Sequence, residues 1–302
     1  MDDMTIDELS RKFLEDCELE QGHSPKTIRN YEHYLGRFGT FAKECQIEQP
    51  LQITLQLVRE WRLQLNRRGL KTNTLNYHLI ALRSFLKYLT KHDIETLAPE
   101  KIELADQEGR QIAFLEEDEI ERLLKAPDTS TIRGLRDRAI LETLFSTGLR
   151  VSELVSLNRD QVNLERGEFG VRGKGGKVRV VFLSEPAKEW LARCLIGRRD
   201  EEVAVFVREK RKGDEEAKRS LRLTARQIER IVAAQAAAAG LVKKVHPHVL
   251  RHSLATDLLQ NGADLRSVQE ILGHASVTTT QVYTHVTNPR LKEVHQAFHR
   301  RK

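Results

Sequence analysis

Two arginines, a lysine, two histidines and a tyrosine stand out in the second half of this 302-residue chain. Arg150 follows a glycine-marked break, Lys174 sits in the turn GKGGK, and His248 and Arg251 belong to HPHVLRH (246–252). His274 directly follows Gly273, and Tyr283 comes nine positions later. No carboxylate cluster accompanies them. Such a set describes a pocket for a phosphate diester, because arginine forks match phosphate oxygens and stabilise the extra negative charge of a pentacoordinate transition state. Taken alone, His248 with Arg251 reads as a satisfied surface or capping pair; the other four residues change that reading. With two arginines and a lysine present no divalent metal is required, and none of these motifs contains the carboxylate pair that would hold Mg²⁺. GKGGK is not a phosphate-binding Walker loop, since no Ser or Thr follows either lysine.

These residues need elements to place them. LRDRAILETLFSTGLRVSELVSL (135–157) reads as a helix, a break at Gly148 and a further helix, with FLEEDEIERLLKA (114–126) as a helix before it. Glu153, one turn after Arg150, either orients that guanidinium or faces solvent. Residues 161–183 change period: β-rich runs over 169–172 and 177–182, separated by glycines, predict a hairpin with Lys174 at its tip. Residues 247–261 predict a helix on which His248 and Arg251 share one face, while Leu250, Leu254 and Leu258 form the buried stripe. Asp264 caps the next helix and Gly273 stops it; 276–286 and the tail read as helical and basic.

The first part of the chain is different. Residues 6–92 read as helices with polar joints, Ser24-Pro25 being a start signal. KTIRNYEHYLGRF (26–38) is weakly echoed by KTNTLNYHLIALRSFLKYL (71–89). In each, a Lys-Thr pair falls at a helix N-terminus, where free amides favour either a phosphate or simple capping. Lys26, Thr27, Arg29, Arg67, Arg68, Lys71 and Arg83 are the candidate phosphate contacts there. Residues 99–111 lose periodicity and carry Pro, Gly and charges, which predicts a linker between a domain over 1–98 and a second over 112–302.

Composition sets limits. Cys17, Cys45 and Cys194 are isolated, which fits a reducing compartment and argues against a disulfide framework and a zinc site. The chain opens acidic and amphipathic, with neither a signal peptide nor a run of 18 apolar residues, so a cytoplasmic protein without membrane insertion is expected. The formal net charge is +6. Residues 1–20 hold eight acidic and two basic residues, whereas 21–91 hold four and twelve. Such a distribution suits either a solvated surface or a polyanionic partner.

TGLRVSEL (147–154), GKG (173–175), HPHVLRHSLATDLLQNGADLRSVQEILGH (246–274) and TTTQVYTHV (278–286) together resemble the tyrosine recombinases of the phage integrase family, most closely the Xer type that resolves chromosome dimers. The resemblance spans nearly the whole chain. It implies a mainly α fold: a helical, SAM-like core-binding domain, then a mainly α catalytic domain with a small antiparallel sheet, the two clamping a duplex from opposite faces. It implies that Arg150 and Arg251 clamp the scissile phosphate, that Tyr283 is the nucleophile, and that Lys174 protonates the 5′-hydroxyl leaving group. His248 would act in proton transfer and His274 would hydrogen-bond a phosphate oxygen. A phosphotyrosine intermediate conserves bond energy, so no cofactor and no metal are implied. The implied partners are double-stranded DNA at a dif-like site, a homo-tetramer or a hetero-tetramer with a paralogue, and a DNA translocase of the FtsK kind. His246 stands where the family more often has Ser or Thr, and Phe182 where Pro is common. The tail, with Leu291, Val294 and Phe298, would dock on a neighbouring protomer or on its own domain. Three other readings are a mobile-element integrase of the same family, a type IB topoisomerase, and a non-catalytic DNA binder on this fold. Core-domain sequence within the first ten residues disfavours the integrase, the LGH block the topoisomerase, and the full set of six residues the binder.

Overall fold

The computed structural model describes residues 4–106, 113–173, 178–210 and 220–273. The chain divides into two compact units, 1–110 and 111–302.

The first unit is built from α1 (Ile6–Leu19), α2 (Pro25–Glu44), α3 (Leu55–Arg67) and α4 (Thr72–Lys91). Local chemistry fixes their starts. Thr5 and Glu8 form a reciprocal capping box on α1, and Ser24 caps α2 ahead of Pro25 at its first position. Phe13 packs between Tyr31, Phe85 and Tyr88 at centroid distances of 5.5 to 5.8 Å. Trp61 of α3 meets Phe38 of α2 edge-on at 5.0 Å, a preferred aromatic geometry. Helices α2 and α4 run antiparallel: Tyr31 reaches Ser84 at 3.4 Å, while Arg37 reaches His78 at 3.3 Å. The segment expected to begin the linker is instead part of this unit. Pro99–Lys101 form a 3-10 turn, Ile102 is 2 % exposed in the core, and Asn76 exchanges two hydrogen bonds with the backbone of Ala105. Ile102 and Leu104 supply an apolar anchor that outweighs the Pro and charge signals around them.

The second unit is mainly helical: α5 (Glu117–Lys125), α6 (Ile132–Thr147), α7 (Val151–Ser156), α8 (Glu185–Ile196), α9 (Ala225–Ala238), α10 (Pro247–Gln260) and α11 (Leu265–Leu272). A hairpin of β1 (Glu168–Arg172) and β2 (Val178–Phe182) pairs Arg172 with Val178 and Glu168 with Phe182. Helix α6 runs through the core, with Ala139, Ile140, Leu141 and Leu144 fully buried. It also buries Asp137 and Glu142, and each carboxylate is paired at 2.7 Å, with Arg136 and Arg138 respectively. Burial raises the Glu142 carboxyl despite Arg138 beside it. The hairpin is fastened at its base, where Ser146 of α6 donates to the Phe182 carbonyl and accepts from the Ser184 amide at 2.7 Å. Helix α10 is tied to the segment before α5 through Ser253, which accepts from the Leu115 amide at 2.9 Å.

Candidate active site

Helix α6 ends because Gly148 turns into the left-handed region at φ 58°, a conformation glycine adopts without a Cβ penalty. Space demands glycine there as well: a Cβ would lie 2.7 Å from a Leu272 methyl carbon and 2.9 Å from one of Leu254. Leu149 is buried, and Arg150 follows as the residue that opens α7. Its backbone N–H donates to Glu153 Oε2 and its Nη1 to Glu153 Oε1, both at 2.8 Å. Of the two expectations for Glu153, the structure selects the orienting one. The carboxylate is 5 % exposed and takes a two-pronged bond from Arg179 of β2, at 2.9 and 2.8 Å. Burial alone raises a carboxyl, yet the Arg179 and Arg150 donors overcome it and hold Glu153 down to about 2.

Arg251 comes from the other side. Its Nη1 donates to the Gly148 carbonyl and its Nη2 to the Leu272 carbonyl, the latter at 2.6 Å. Arg150 Nη2 donates to the next carbonyl, that of Gly273, at 3.3 Å. Two guanidiniums thus meet on successive peptide units at the end of α11, immediately before His274. His248, on the first turn of α10, is exposed beside them, with the His246 ring edge-on at 6.1 Å. Partial burial lowers the His248 ring, and His246, Arg251 and Arg150 push it the same way. His252, one turn further on, is lowered to about 4 by burial, with His248, Arg251 and His246 pushing the same way.

The expected helix face needs correction. Arg251 does not share an open face with His248: it is 4 % exposed, and α10 is buried on most sides, including Val249, Leu250, Ser253, Leu254 and Thr256. Leu258 lies only partly inside the expected buried stripe. Among the described residues, Arg150, His248 and Arg251 are brought together, whereas Lys174, His274 and Tyr283 lie outside the described residues. Arg179 was not among the candidates. Its signal is periodic: in VRVVF, alternation sends Val178, Val180 and Phe182 outward and puts an arginine on the inward side, where a charge needs a partner.

In the first unit Lys26, Arg29, Arg67, Arg68 and Lys71 are exposed and Arg83 is half-buried. No described residue pairs with any of them. Thr27 serves the cap of α2, its hydroxyl 2.9 Å from that of Ser24. Because α2 and α4 are antiparallel, the two Lys-Thr pairs fall at opposite ends of the helix pair, about 25 Å apart at 1.5 Å per residue. Among the described residues no group of three or more His, Cys, Asp or Glu could hold a metal ion, and no helix is long and apolar enough to cross a membrane.

Comparison with known proteins places this helical unit, and the one before it, in a family. The Phage integrase family matches residues 113–290, and the Phage integrase, N-terminal SAM-like domain matches 11–93. The chain is 39% identical over 296 residues to Tyrosine recombinase XerC of Pelotomaculum thermopropionicum, covering 96% of this chain and 97% of that protein. It is 36% identical over 298 residues to Tyrosine recombinase XerD of Oceanobacillus iheyensis, with the same coverage of each. Among solved structures, XerH site-specific recombinase bound to a palindromic difH substrate, in its post-cleavage complex, is 26% identical, covers 94% of this chain and 83% of that one, and has a TM-score of 0.71. The chain belongs to the phage integrase family. It is a site-specific tyrosine recombinase similar to the Xer enzymes over nearly its whole length.

Proposed function

We propose that the protein cuts and reseals double-stranded DNA at a near-palindromic, dif-like chromosomal site, through a 3′-phosphotyrosine on Tyr283, and so resolves chromosome dimers. The observation that carries the reading is the convergence of Arg150 and Arg251 on the Gly273 and Leu272 carbonyls beside His248. Arg150 and Arg251 clamp the scissile phosphate. His248, neutral because its ring is lowered, accepts the phenol proton as the Tyr283 oxygen bonds to phosphorus. The bond from phosphorus to the 5′-oxygen breaks, and Lys174 supplies that oxygen with a proton. His274 donates to a non-bridging phosphate oxygen. Reversal by the 5′-hydroxyl of another strand restores the phosphodiester and frees the tyrosine, with no net loss of bond energy. The first unit grips the duplex through Lys26, Thr27, Arg29, Arg67, Arg68, Lys71 and Arg83, and the second unit performs the chemistry. Exchange between two duplexes calls for four protomers, identical or mixed with a paralogue, in the cytoplasm, with an FtsK-type translocase as the activating partner.

The test is to mix wild type, and separately Tyr283→Phe, with sheared genomic DNA, denature, and sequence the fragments that stay attached to protein. One near-palindromic locus recovered with wild type alone supports the reading. Recovery of the borders of a mobile element instead would assign the protein to integration, and attachment that survives Tyr283→Phe would remove the tyrosine from its role.

A further inference from the structure

We propose that Arg179 is a positioning residue for strand cleavage: its guanidinium locks the Glu153 carboxylate that holds Arg150, and so fixes one arm of the phosphate clamp. The inference rests on the proposed role of Arg150. Glu153 has four lone-pair sites and all are occupied, two by Arg179 and two by Arg150. Arg150 by itself is a weak anchor for its own guanidinium. Its side chain is 31% exposed, and its only other described partner is a carbonyl at 3.3 Å. Arg179 supplies the rigidity, being 12% exposed with both terminal nitrogens committed to one carboxylate.

Stability alone does not account for the arrangement. Burying an arginine and a glutamate costs as much as their attraction returns in many proteins, and apolar residues of the same volume serve the core as well or better. What a fork adds is direction: two parallel N–H bonds fix the plane of the carboxylate and hence the line along which Arg150 points. Position is coupled more widely through the arginine stem. A Cβ on Gly273 would lie 2.7 Å from Arg179 Cδ, so the peptide that receives Arg150 Nη2 rests directly on Arg179. With the Ser146 fastening at its base, the hairpin is thereby held at two points, to α6 through Ser146 and to α7 through Glu153.

The probe is a nicked duplex bearing the locus that the wild type captures, prepared with an ordinary scissile phosphate and with a 5′-bridging sulfur. A thiolate leaves without being protonated, so the sulfur substrate bypasses the acid that serves the leaving group. Arg179→Met should attach to the ordinary duplex roughly 100-fold more slowly than wild type, the scale of a small misplacement in an active site, with DNA affinity unchanged. Combined with Glu153→Gln the loss should be no larger than that of the worse single variant, since both act through one carboxylate. The sulfur substrate should restore Lys174→Met and leave Arg179→Met slow. Arg179→Lys, which keeps the charge and loses the fork, should stay slow as well; it carries the test if melting shows that Arg179→Met does not fold. Attachment by either variant at the wild-type rate, full additivity with Glu153→Gln, or rescue of Arg179→Met by sulfur would overturn the proposal. Failure of sulfur to restore Lys174→Met would remove the lysine from the leaving-group role and leave the assignment of Arg179 standing.

Discussion

The guanidinium of Arg251 donates to the carbonyl of Gly148, a residue 103 positions earlier in the chain. One arm of the proposed clamp is therefore hung on the peptide whose left-handed turn presents the other arm two residues later. The loop after α6 and the buried arginine of α10 are one construction, and a disturbance in either reaches both.

Gly148→Ala should show this coupling. The new methyl would press on Leu272 and Leu254 at less than 3 Å while the backbone stayed at φ 58°. A cost of about 1–3 kcal/mol is expected from overpacking and strain, read by urea denaturation. Covalent attachment to DNA should fall further than that loss of stability explains. A variant as stable and as active as wild type would mean that the loop moves freely.

Glu153 makes a pH-dependent contribution with a definite sign. Its folded value is about 2 against 4.5 for an ordinary glutamate, so the unfolded chain takes up its proton first as pH falls. The stabilisation is fully present above pH 4.5 and is lost toward pH 2. Wild type should exceed Glu153→Gln in stability at neutral pH, with the gap narrowing below pH 4.5 in chemical denaturation series. A gap that is constant from pH 7 to pH 3 would contradict the ion-paired state of the carboxylate.

Much of this was legible in the sequence, for reasons that can be named. Ser24-Pro25, Gly148 and Asp264 are local signals, decided by capping and by φ, and they mark helix ends as read. The hairpin was legible because glycines bracket β-branched runs. Less visible were matters that depend on what packs against what. Arg251 looked like a surface residue because periodicity assigns a polar side chain to the open face, whereas α10 is enclosed and its arginine donates to carbonyls at the ends of α6 and α11. The residues from 99 to 105 looked like a linker because composition conceals the buried Pro99 and Ile102. Arg179 went unread because a charged residue among valines suggests an exposed strand until its inward register is counted.

His248 should impose an acid limb on the reaction. Its ring is lowered below the usual 6.5 by partial burial and by His246, Arg251 and Arg150, so the neutral base is present at pH 7 and is lost as pH falls through a point below 6.5. The rate of covalent attachment should decline along that limb, and His248→Gln should be slow with the limb gone. His246→Ser removes a positive neighbour and should move the limb upward. An unchanged limb in His248→Gln would assign the titration to another group.

The opposite placement of the two Lys-Thr pairs predicts how binding responds to salt. Lys26 and Arg29 stand at one end of the α2–α4 pair, while Lys71, with Arg67 and Arg68 close by in the chain, stands at the other. A separation of about 25 Å, measured at 1.5 Å per helical residue, is too large for one phosphate to be shared. If each group meets its own phosphates, each lost contact lowers the log-log salt slope by about 0.9. Lys26→Ala with Arg29→Ala should then reduce the slope by about 1.8, and removing Arg67, Arg68 and Lys71 by about 2.7. Effects at sites this far apart should add. Fluorescence anisotropy at several salt concentrations reads all three slopes. A slope that either set leaves untouched would take that end of the helix pair off the DNA, and two sets that abolish the same contacts would show that they converge on one phosphate after all.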